Sequence, residues 1–279
     1  MSFFEQSIKL DIERFLAEDE ISGNSFYLNK LPCEEVECIL KIKSDLVLSG
    51  LPYLVATFNY LGADLKFFEF ETFEGKKFNK GFEITFKLPF NVALTGERIA
   101  LNLVQISSSI STHTNNIVKL VEKSNIKILD TRKTTPGLRN LQKYAVNIGG
   151  GFNHRMSQTD VFMIKDNHKT FFGGLKNAYD FFQSMHAFYN PIVAEIHSLD
   201  ELKEAINLKI NHVMLDNFTP DDIKRAVLEK KPGMTFELSG GINQSNIEKY
   251  LIDGVDAISM GELTYSAPHV DISMKMRKI

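Results

Sequence analysis

The chain has 279 residues, of which 43% are hydrophobic and 24% charged, a globular composition that excludes a largely disordered, collagen-like or coiled-coil protein. Its 32 Lys and Arg against 35 Asp and Glu give a net charge of −3, which argues against a general nucleic-acid binder and against attraction to an anionic membrane surface. Two cysteines cannot build a disulfide framework or a zinc site unaided, and the amino terminus lacks the basic region of a signal peptide, so we expect a cytoplasmic protein.

The first hundred residues carry the patterns of a mixed α/β unit. Apolar residues at helical spacing predict helices, and alternating apolar residues predict strands. The stretch Gly75–Gly81, rich in Lys, Asn and Gly, favours a hairpin-type connection between the last two strands. The predicted elements are helices over Ile8–Glu18 and from Thr95 toward Ile106, and strands over Val36–Lys43, Leu65–Glu71 and Phe82–Leu88.

Beyond residue 125, short apolar runs recur, and each ends in a polar or glycine-containing cluster. Most intervals between these clusters are about 20 to 30 residues, the length of one βα unit. The pattern predicts a parallel α/β barrel of seven strands, which is one short of a closed barrel of eight. The predicted strands are Ile126–Asp130, Ala145–Ile148, Val161–Ile164, Ile192–Ile196, His212–Asp216, Thr235–Leu238 and Asp256–Met260.

Positive charge is concentrated in one part of this acidic chain. The segment Ile126–His168 carries seven Lys and Arg residues but only three Asp residues. A basic segment within an acidic protein is typical of a localised anion site, although a solvated basic face explains the charge count equally well.

The ends of the predicted strands carry groups that suit phosphate and carboxylate chemistry. Glu195 and Asp216 end consecutive strands, where acids can face a metal polyphosphate or stabilise a cationic transition state, although ordinary strand-end acids are common. The run Ser239–Gly241, before a predicted helix start near 244–246, offers backbone N–H groups for a phosphate, and Gly261 ends the next strand. These features favour glycosyl transfer from a phosphorylated sugar to an anionic acceptor. The accompanying cations are Arg132, Lys133, Arg139, His154, Arg155 and Lys165.

Several stretches, in order along essentially the whole chain, carry a family resemblance. They are Gly96–Asn102, Asp130–Arg139, Lys143–Val146, Gly149–Arg155, Ile164–His168, Glu237–Ile242 and Asp256–Gly261. Together they resemble the quinolinate phosphoribosyltransferases, the carboxylating nicotinate-nucleotide pyrophosphorylases. The run from Asp130 to Pro136 is the most specific of them.

The resemblance implies a fold, an activity and an assembly. The fold is an α/β protein with an N-terminal α/β sandwich domain over 1–112, to which the tail 267–279 returns, and an open, incomplete α/β barrel of about seven strands over 113–266. The activity is transfer of phosphoribosyl from phosphoribosyl pyrophosphate to quinolinate with decarboxylation, which gives nicotinate mononucleotide, CO2 and pyrophosphate in de novo NAD synthesis. Mg2+ is the expected cofactor, with no organic cofactor, and a homodimer or higher homo-oligomer with shared active sites is expected.

The resemblance also implies residue roles. The residues expected to hold quinolinate are Arg132, His154, Arg155, Lys165 and, from a partner subunit, Arg98. Those expected around the ribose, the pyrophosphate and the metal are Lys133, Glu195 and Asp216, with the two acids facing the metal indirectly or through the pyrophosphate. Those expected to bind the 5′-phosphate are Ser239, Gly240, Gly241 and Gly261. The expected catalytic residues are Lys133, Lys165, Glu195 and Asp216.

Some positions depart from the family pattern. The segment 22–25 diverges, and Tyr265 stands where the family usually has a histidine. Two rival functions remain open from the sequence: a phosphoribosyltransferase of the same fold that acts on another heterocycle without decarboxylation, and a non-catalytic phosphate or nucleotide sensor. The number of cations favours a dicarboxylate, because a monocarboxylate needs only one clamp.

Overall fold

The computed structural model describes residues 3–19, 23 and 25–279, so part of the divergent segment 22–25 lies outside the described residues. The chain divides into two compact units, one formed by 1–115, 135–150 and 267–279, the other by 116–134 and 151–266. The sequence-based boundary placed 135–150 with the barrel. This segment joins the first unit because Leu141 packs into a buried cluster with Ile12 and Tyr53.

The elements are as follows. The helices are α1 Phe3–Glu18, α2 Ser25–Leu28, α3 Leu51–Tyr60, α4 Phe90–Val121, α5 Arg139–Ile148, α6 Asp166–Phe172, α7 Leu175–Gln183, α8 Leu199–Asn207, α9 Pro220–Glu229 and α10 Glu262–Tyr265, with 3-10 turns at Phe67–Glu69 and Ile247–Tyr250. The strands are β1 Glu35–Ile42, β2 Leu46–Val47, β3 Lys77–Phe78, β4 Glu83–Pro89, β5 Lys127–Leu129, β6 Phe162–Ile164, β7 Ile192–Ile196, β8 His212–Asp216, β9 Thr235–Ser239, β10 Ala257–Ser259 and β11 Ile272–Lys278.

The first unit is built on an antiparallel sheet with the strand order β11-β1-β4. Alternate residues of β1, namely Cys38, Leu40 and Ile42, are fully buried and form the core side of that sheet. Because β11 pairs with β1, the carboxyl-terminal segment is part of the first unit.

The predicted strand over Leu65–Glu71 is wrong. The side chain of Asn59 bonds both the N–H and the carbonyl of Leu65, and the chain then enters the 3-10 turn. The expected hairpin over 75–81 is wrong as well, since β3 lies within that stretch and pairs with β2. Short apolar runs of this kind do not distinguish strands from tight turns by periodicity alone.

Helix α4 begins five residues earlier than predicted and extends over 32 residues. The helix needs glycine at position 96, because a Cβ on Gly96 would lie only 2.9 Å from the side chains of Phe58 and Leu61. Its buried serines are hydrogen-bonded: Ser107 pairs with the Ser49 hydroxyl at 2.7 Å, and Ser109 donates to the Gln105 carbonyl. The polar stretch therefore belongs to a packed helix.

The second unit is a six-stranded parallel sheet with the order β5-β10-β9-β8-β7-β6, and the open α/β-barrel class is confirmed. The strand predicted over Ala145–Ile148 is wrong, since these residues end α5, where Ala145 and Val146 are buried at helical spacing with Leu141. The position of a seventh strand is taken by a single bridge between Leu129 and Phe152. None of the described helices is long and apolar enough to cross a membrane.

Candidate active site

A cavity of about 500 Å³ lies at the carboxyl-terminal edge of the parallel strands. Eleven of the twelve residues predicted for the substrates line it: Arg132, Lys133, His154, Arg155, Lys165, Glu195, Asp216, Ser239, Gly240, Gly241 and Gly261. The twelfth, Arg98, is exposed on α4 in the first unit and is not among the lining residues. Parallel topology explains the convergence, because successive strands deliver their ends to the same face.

A lysine–glutamate pair connects two neighbouring strands at this face. Glu195 lies near the end of β7, whose five residues are all buried, and its carboxylate forms an ion pair with the ammonium of Lys165. Lys165 precedes α6, where its backbone N–H donates to Nδ1 of His168 at 3.0 Å. The cation therefore stands on a fixed helix start and offsets a nearly buried negative charge.

His197, which the sequence analysis missed, lies among three carboxylates. Its Nε2 is 2.7 Å from Oδ1 of Asp166 and 3.8 Å from Oε1 of Glu195, and its Nδ1 is 3.6 Å from Oδ2 of Asp216. Although burial favours the neutral acid, Lys169 and His197 together hold the pKa of Asp166 below its usual value. The signal was available in the sequence, since His197 follows Glu195 by two residues at the same strand end.

The carboxylates at this face offer oxygen ligands of the kind that a hard cation prefers. Asp216 accepts the Ser239 hydroxyl and, at 2.6 Å, the side-chain amide of Asn217. Donor atoms of Asp166, Glu195 and His197 lie within 4.8 Å of one another. Mg2+ prefers carboxylate, phosphate and water oxygens over an imidazole nitrogen, so Glu195 and Asp216 are the groups that suit it.

Two arginines, Arg132 and Arg155, also line the cavity. Nη1 of Arg155 donates to the carbonyls of Val161 at 2.8 Å and Gln158 at 3.0 Å, which fixes one side of its guanidinium. Burial, reinforced by the neighbouring charge of Arg132, lowers the pKa of Arg155. Two guanidinium groups near enough to repel each other form a wall that favours an anionic occupant.

His154 was predicted to clamp a carboxylate, but the protein already engages both of its ring nitrogens. Nδ1 accepts the backbone N–H of Arg155 at 2.7 Å, and Nε2 lies 3.3 Å from Oε2 of Glu237. The backbone N–H of His154 donates to Asp130, which is fully buried. Glu237 is a second residue that the sequence analysis left without a role.

The glycine loop after β9 presents bare backbone to the cavity. Gly240 and Gly241 have φ angles of +95° and +62°, and a Cβ at Gly240 would lie 2.2 Å from Oδ1 of Asn217. Only glycine fits at Gly240. The helix expected after this loop is a four-residue 3-10 turn, so an anion here would be held by the loop N–H groups and not by a helix dipole.

Gly261 shapes the cavity in a different way, because a Cβ there would lie 2.5 Å from the Tyr265 ring and 3.1 Å from Cδ of Lys133. The absence of a side chain lets Lys133 pass close to the end of β10. Tyr265, the departure from the family pattern, lines the same cavity.

Comparison with known proteins decides the family. The model of the quinolinate phosphoribosyl transferase C-terminal domain matches residues 110–275, more than half of the chain. A Methanocaldococcus jannaschii protein named probable nicotinate-nucleotide pyrophosphorylase (carboxylating) is 38% identical, over 96% of this chain and 95% of its own length. The chain belongs to the quinolinate phosphoribosyltransferase family.

Other members of the quinolinate phosphoribosyltransferase family extend the match to the whole fold. The nicotinate-nucleotide pyrophosphorylase (carboxylating) of Dictyostelium discoideum is 36% identical, over 85% of each chain. The crystal structure of NadC from Streptococcus pyogenes superposes with a TM-score of 0.87 at 29% identity, over 100% of this chain and 99% of that one. The match to these pentosyltransferase enzymes therefore covers both units of the chain.

Proposed function

We propose that the cavity at the strand ends carries out the reaction of the family, in which phosphoribosyl pyrophosphate and quinolinate give nicotinate mononucleotide, CO2 and pyrophosphate. One observation carries the assignment to this cavity: the cations suited to a dicarboxylate and the acids and glycines suited to a sugar phosphate line the same space of about 500 Å³. A cavity of this size accommodates both substrates of a transfer reaction.

The cations favour quinolinate over a monocarboxylate. Arg132, Arg155 and Lys165 all line the cavity, and Arg132 and Arg155 are close enough for their charges to repel each other. Quinolinate carries two adjacent carboxylates, so it can pair with two cationic clamps at once, whereas nicotinate would leave one clamp unpaired. These three residues are the groups to which we assign the dicarboxylate.

The other end of the cavity suits the phosphoribosyl donor. The loop Ser239–Gly241 lines the cavity with glycine backbone that suits the 5′-phosphate, and Lys133 lines the same cavity beside Gly261 as the cation we assign to the pyrophosphate. When bound with the donor, Mg2+ offsets the negative charge of the pyrophosphate. Glu195 and Asp216 are the residues that would face it.

The reaction has two bond-breaking stages. The pyridine nitrogen of quinolinate attacks the anomeric carbon, and the bond to pyrophosphate breaks through a state with positive charge on the ribose. Glu195 and Asp216 stabilise that charge electrostatically, and Lys133 stabilises the departing anion. The ring is then a pyridinium, so the C2–carboxylate bond can break with its electron pair held next to the positive nitrogen, and C2 takes up a proton as CO2 leaves.

The direct test is turnover with each candidate acceptor. Purified protein, phosphoribosyl pyrophosphate and Mg2+ are incubated with quinolinate or with nicotinate, and the nucleotide product is identified by mass spectrometry. We expect nicotinate mononucleotide from quinolinate only. Turnover of nicotinate without turnover of quinolinate would assign the chain to the non-decarboxylating rival, and failure with both would favour a binding protein.

We further propose that the active enzyme is a homodimer, or a higher assembly, in which Arg98 of one chain completes the site of another. Arg98 is exposed on α4 and is not among the lining residues of the cavity. The family resemblance implies one more arginine at the quinolinate site, and the residues that line the cavity do not include it. An isologous dimer lets two identical chains exchange this residue.

Subunit mixing tests the shared site. Arg98→Ala and Lys165→Ala are each expected to be nearly inactive. After exchange, an equal mixture should recover about one quarter of wild-type activity, because half of the dimers are mixed and each of these has one intact site of two. A mixture that stays inactive despite demonstrated exchange would mean that Arg98 serves its own chain.

A further inference from the structure

Glu237 is a carboxylate in an otherwise apolar layer of the barrel interior. It lies two residues before Ser239 on β9, so both side chains point to the same side of the strand. Met163 and Met214 stand in the same relation to Lys165 and Asp216, and they form a buried cluster with Val193. Glu237 pairs in register with Met214. Met214 and Met163 line the cavity, whereas Glu237 is not among its lining residues.

Within the described part of the chain, the carboxylate of Glu237 faces His154. Its Oε2 lies 3.3 Å from Nε2 of His154, and the two side chains are only 15% and 12% exposed. Its Oε1 is buried and, among the residues that the structure describes, has no hydrogen-bond partner. A carboxylate in such surroundings costs stability unless it is compensated, so its retention requires a reason other than packing.

His154 transmits the effect of Glu237 to Arg155. Nδ1 accepts the backbone N–H of Arg155 at 2.7 Å and therefore carries no proton. The proton of the neutral ring is then on Nε2, which faces Glu237 and can donate to it. Without this acceptor, the ring can adopt the other tautomer, whose Nδ1–H would oppose the N–H of Arg155 and release this backbone anchor.

We propose that Glu237 is a positioning residue for quinolinate: it fixes the tautomer of His154, and His154 in turn holds Arg155 against the cavity. Glu237 does not touch the substrate in this arrangement. The kinetic part of this inference rests on the proposed function, whereas the statement about the tautomer does not.

Three substitutions separate positioning from packing and from charge. Glu237→Leu fills the space without an acceptor, and it should leave thermal stability equal or higher while raising the KM for quinolinate about tenfold. Glu237→Gln keeps an acceptor oxygen and should restore the KM to within about twofold of wild type. Glu248→Gln removes the same charge at an exposed position of the second unit and serves as the matched control.

Nuclear magnetic resonance reads the tautomer directly. The 15N signals of His154 are assigned by their loss in His154→Gln, and wild type should show the proton on Nε2. Glu237→Leu should show a mixture of tautomers, with kcat and the KM for phosphoribosyl pyrophosphate changed by less than about twofold.

Three results would overturn the inference: an unchanged His154 spectrum in Glu237→Leu, an altered spectrum with an unchanged quinolinate KM, or a Glu237→Gln variant as impaired as Glu237→Leu. If the wild type fails to turn over quinolinate, the proposed function fails, but the spectra still decide whether Glu237 sets the tautomer.

Discussion

Two carboxylates, Glu74 in the first unit and Glu195 in the second, are held in opposite ways. Glu74 accepts the backbone N–H groups of Gly50 and Leu51 at 2.8 and 2.9 Å and the hydroxyl of Tyr144 at 2.8 Å. Gly50 begins α3 without a capping side chain of its own, so Glu74 acts as the cap of that helix. Glu195 instead forms an ion pair with Lys165 at the wall of an open cavity.

The difference separates a structural acid from a functional one. Two of the three donors to Glu74 are backbone N–H groups, which keep their positions in the folded chain. These hydrogen bonds therefore contribute to the stability of the fold. The partner of Glu195 is a flexible ammonium group beside open space, where an incoming anion can compete for it. A negative charge that can exchange its partner is suited to a reaction in which charge develops.

The largest expected effect is on activity. Glu195→Gln should lower kcat/KM by about 10²- to 10³-fold, because the positive charge on the ribose loses one of the two carboxylates assigned to stabilise it. The measurement is steady-state turnover of quinolinate, with circular dichroism to confirm the fold. Glu74→Gln is the matched control and should retain wild-type turnover per folded molecule. Equal activity losses in the two variants would erase the distinction.

The next largest effect is on stability. Glu74→Ala leaves the buried N–H groups of Gly50 and Leu51 without their acceptor and should cost about 2–3 kcal/mol of unfolding free energy. Urea titration measures the loss. Tyr144→Phe removes only one donor to Glu74 and should cost about 1 kcal/mol. A stable Glu74→Ala protein would show that the cap contributes little.

The smallest effect is a pH dependence of stability. Burial, although opposed by hydrogen bonds from Gly50 and Tyr144, raises the pKa of Glu74 above its ordinary value of 4.5. The folded state therefore binds a proton more tightly than the unfolded state does. The stability from this proton is fully present below pH 4.5 and is lost as the pH rises through the pKa of the folded state.

Glu74→Gln cannot titrate, so the difference in unfolding free energy between wild type and this variant isolates the effect. Wild type should lose stability relative to Glu74→Gln as the pH rises above 4.5. A difference that stays constant with pH, or one that changes in the opposite direction, would contradict the raised pKa.

Much of the site was predictable because strand ends are marked in the sequence. Lys165, Glu195 and Asp216 each end a short apolar run, and parallel topology alone brings such ends together. The strand over Ala145–Ile148 was predicted wrongly because a segment of only four residues, three of them apolar, fits the end of a helix as well as a strand. Helix α4 was predicted too short at both ends, and the serines beyond its predicted end bond to neighbouring backbone and side chains within the helix.

The surroundings of the two missed residues become visible only in three dimensions, although the spacing of His197 from Glu195 marks that histidine in the sequence. His197 acquires its surroundings from carboxylates on three separate segments of the chain. The role of Glu237 becomes visible only in the sheet. Glu237 and Ser239 lie on the same side of β9, and Glu237 shares its level with the buried apolar cluster of Met163, Val193 and Met214. Sequence spacing identifies which residues reach the cavity, but it does not identify the groups that hold those residues in place.

In the proposed function, this cavity couples phosphoribosyl transfer to decarboxylation. The most direct measurement uses quinolinate labelled with 13C in its 2-carboxylate, with 13CO2, pyrophosphate and nicotinate mononucleotide quantified in the same reaction. We expect all three products in equal amounts. Glu195→Gln should lower the rates at which they form by the same factor. Pyrophosphate release without labelled CO2, or accumulation of a nucleotide that retains both carboxylates, would contradict this coupling.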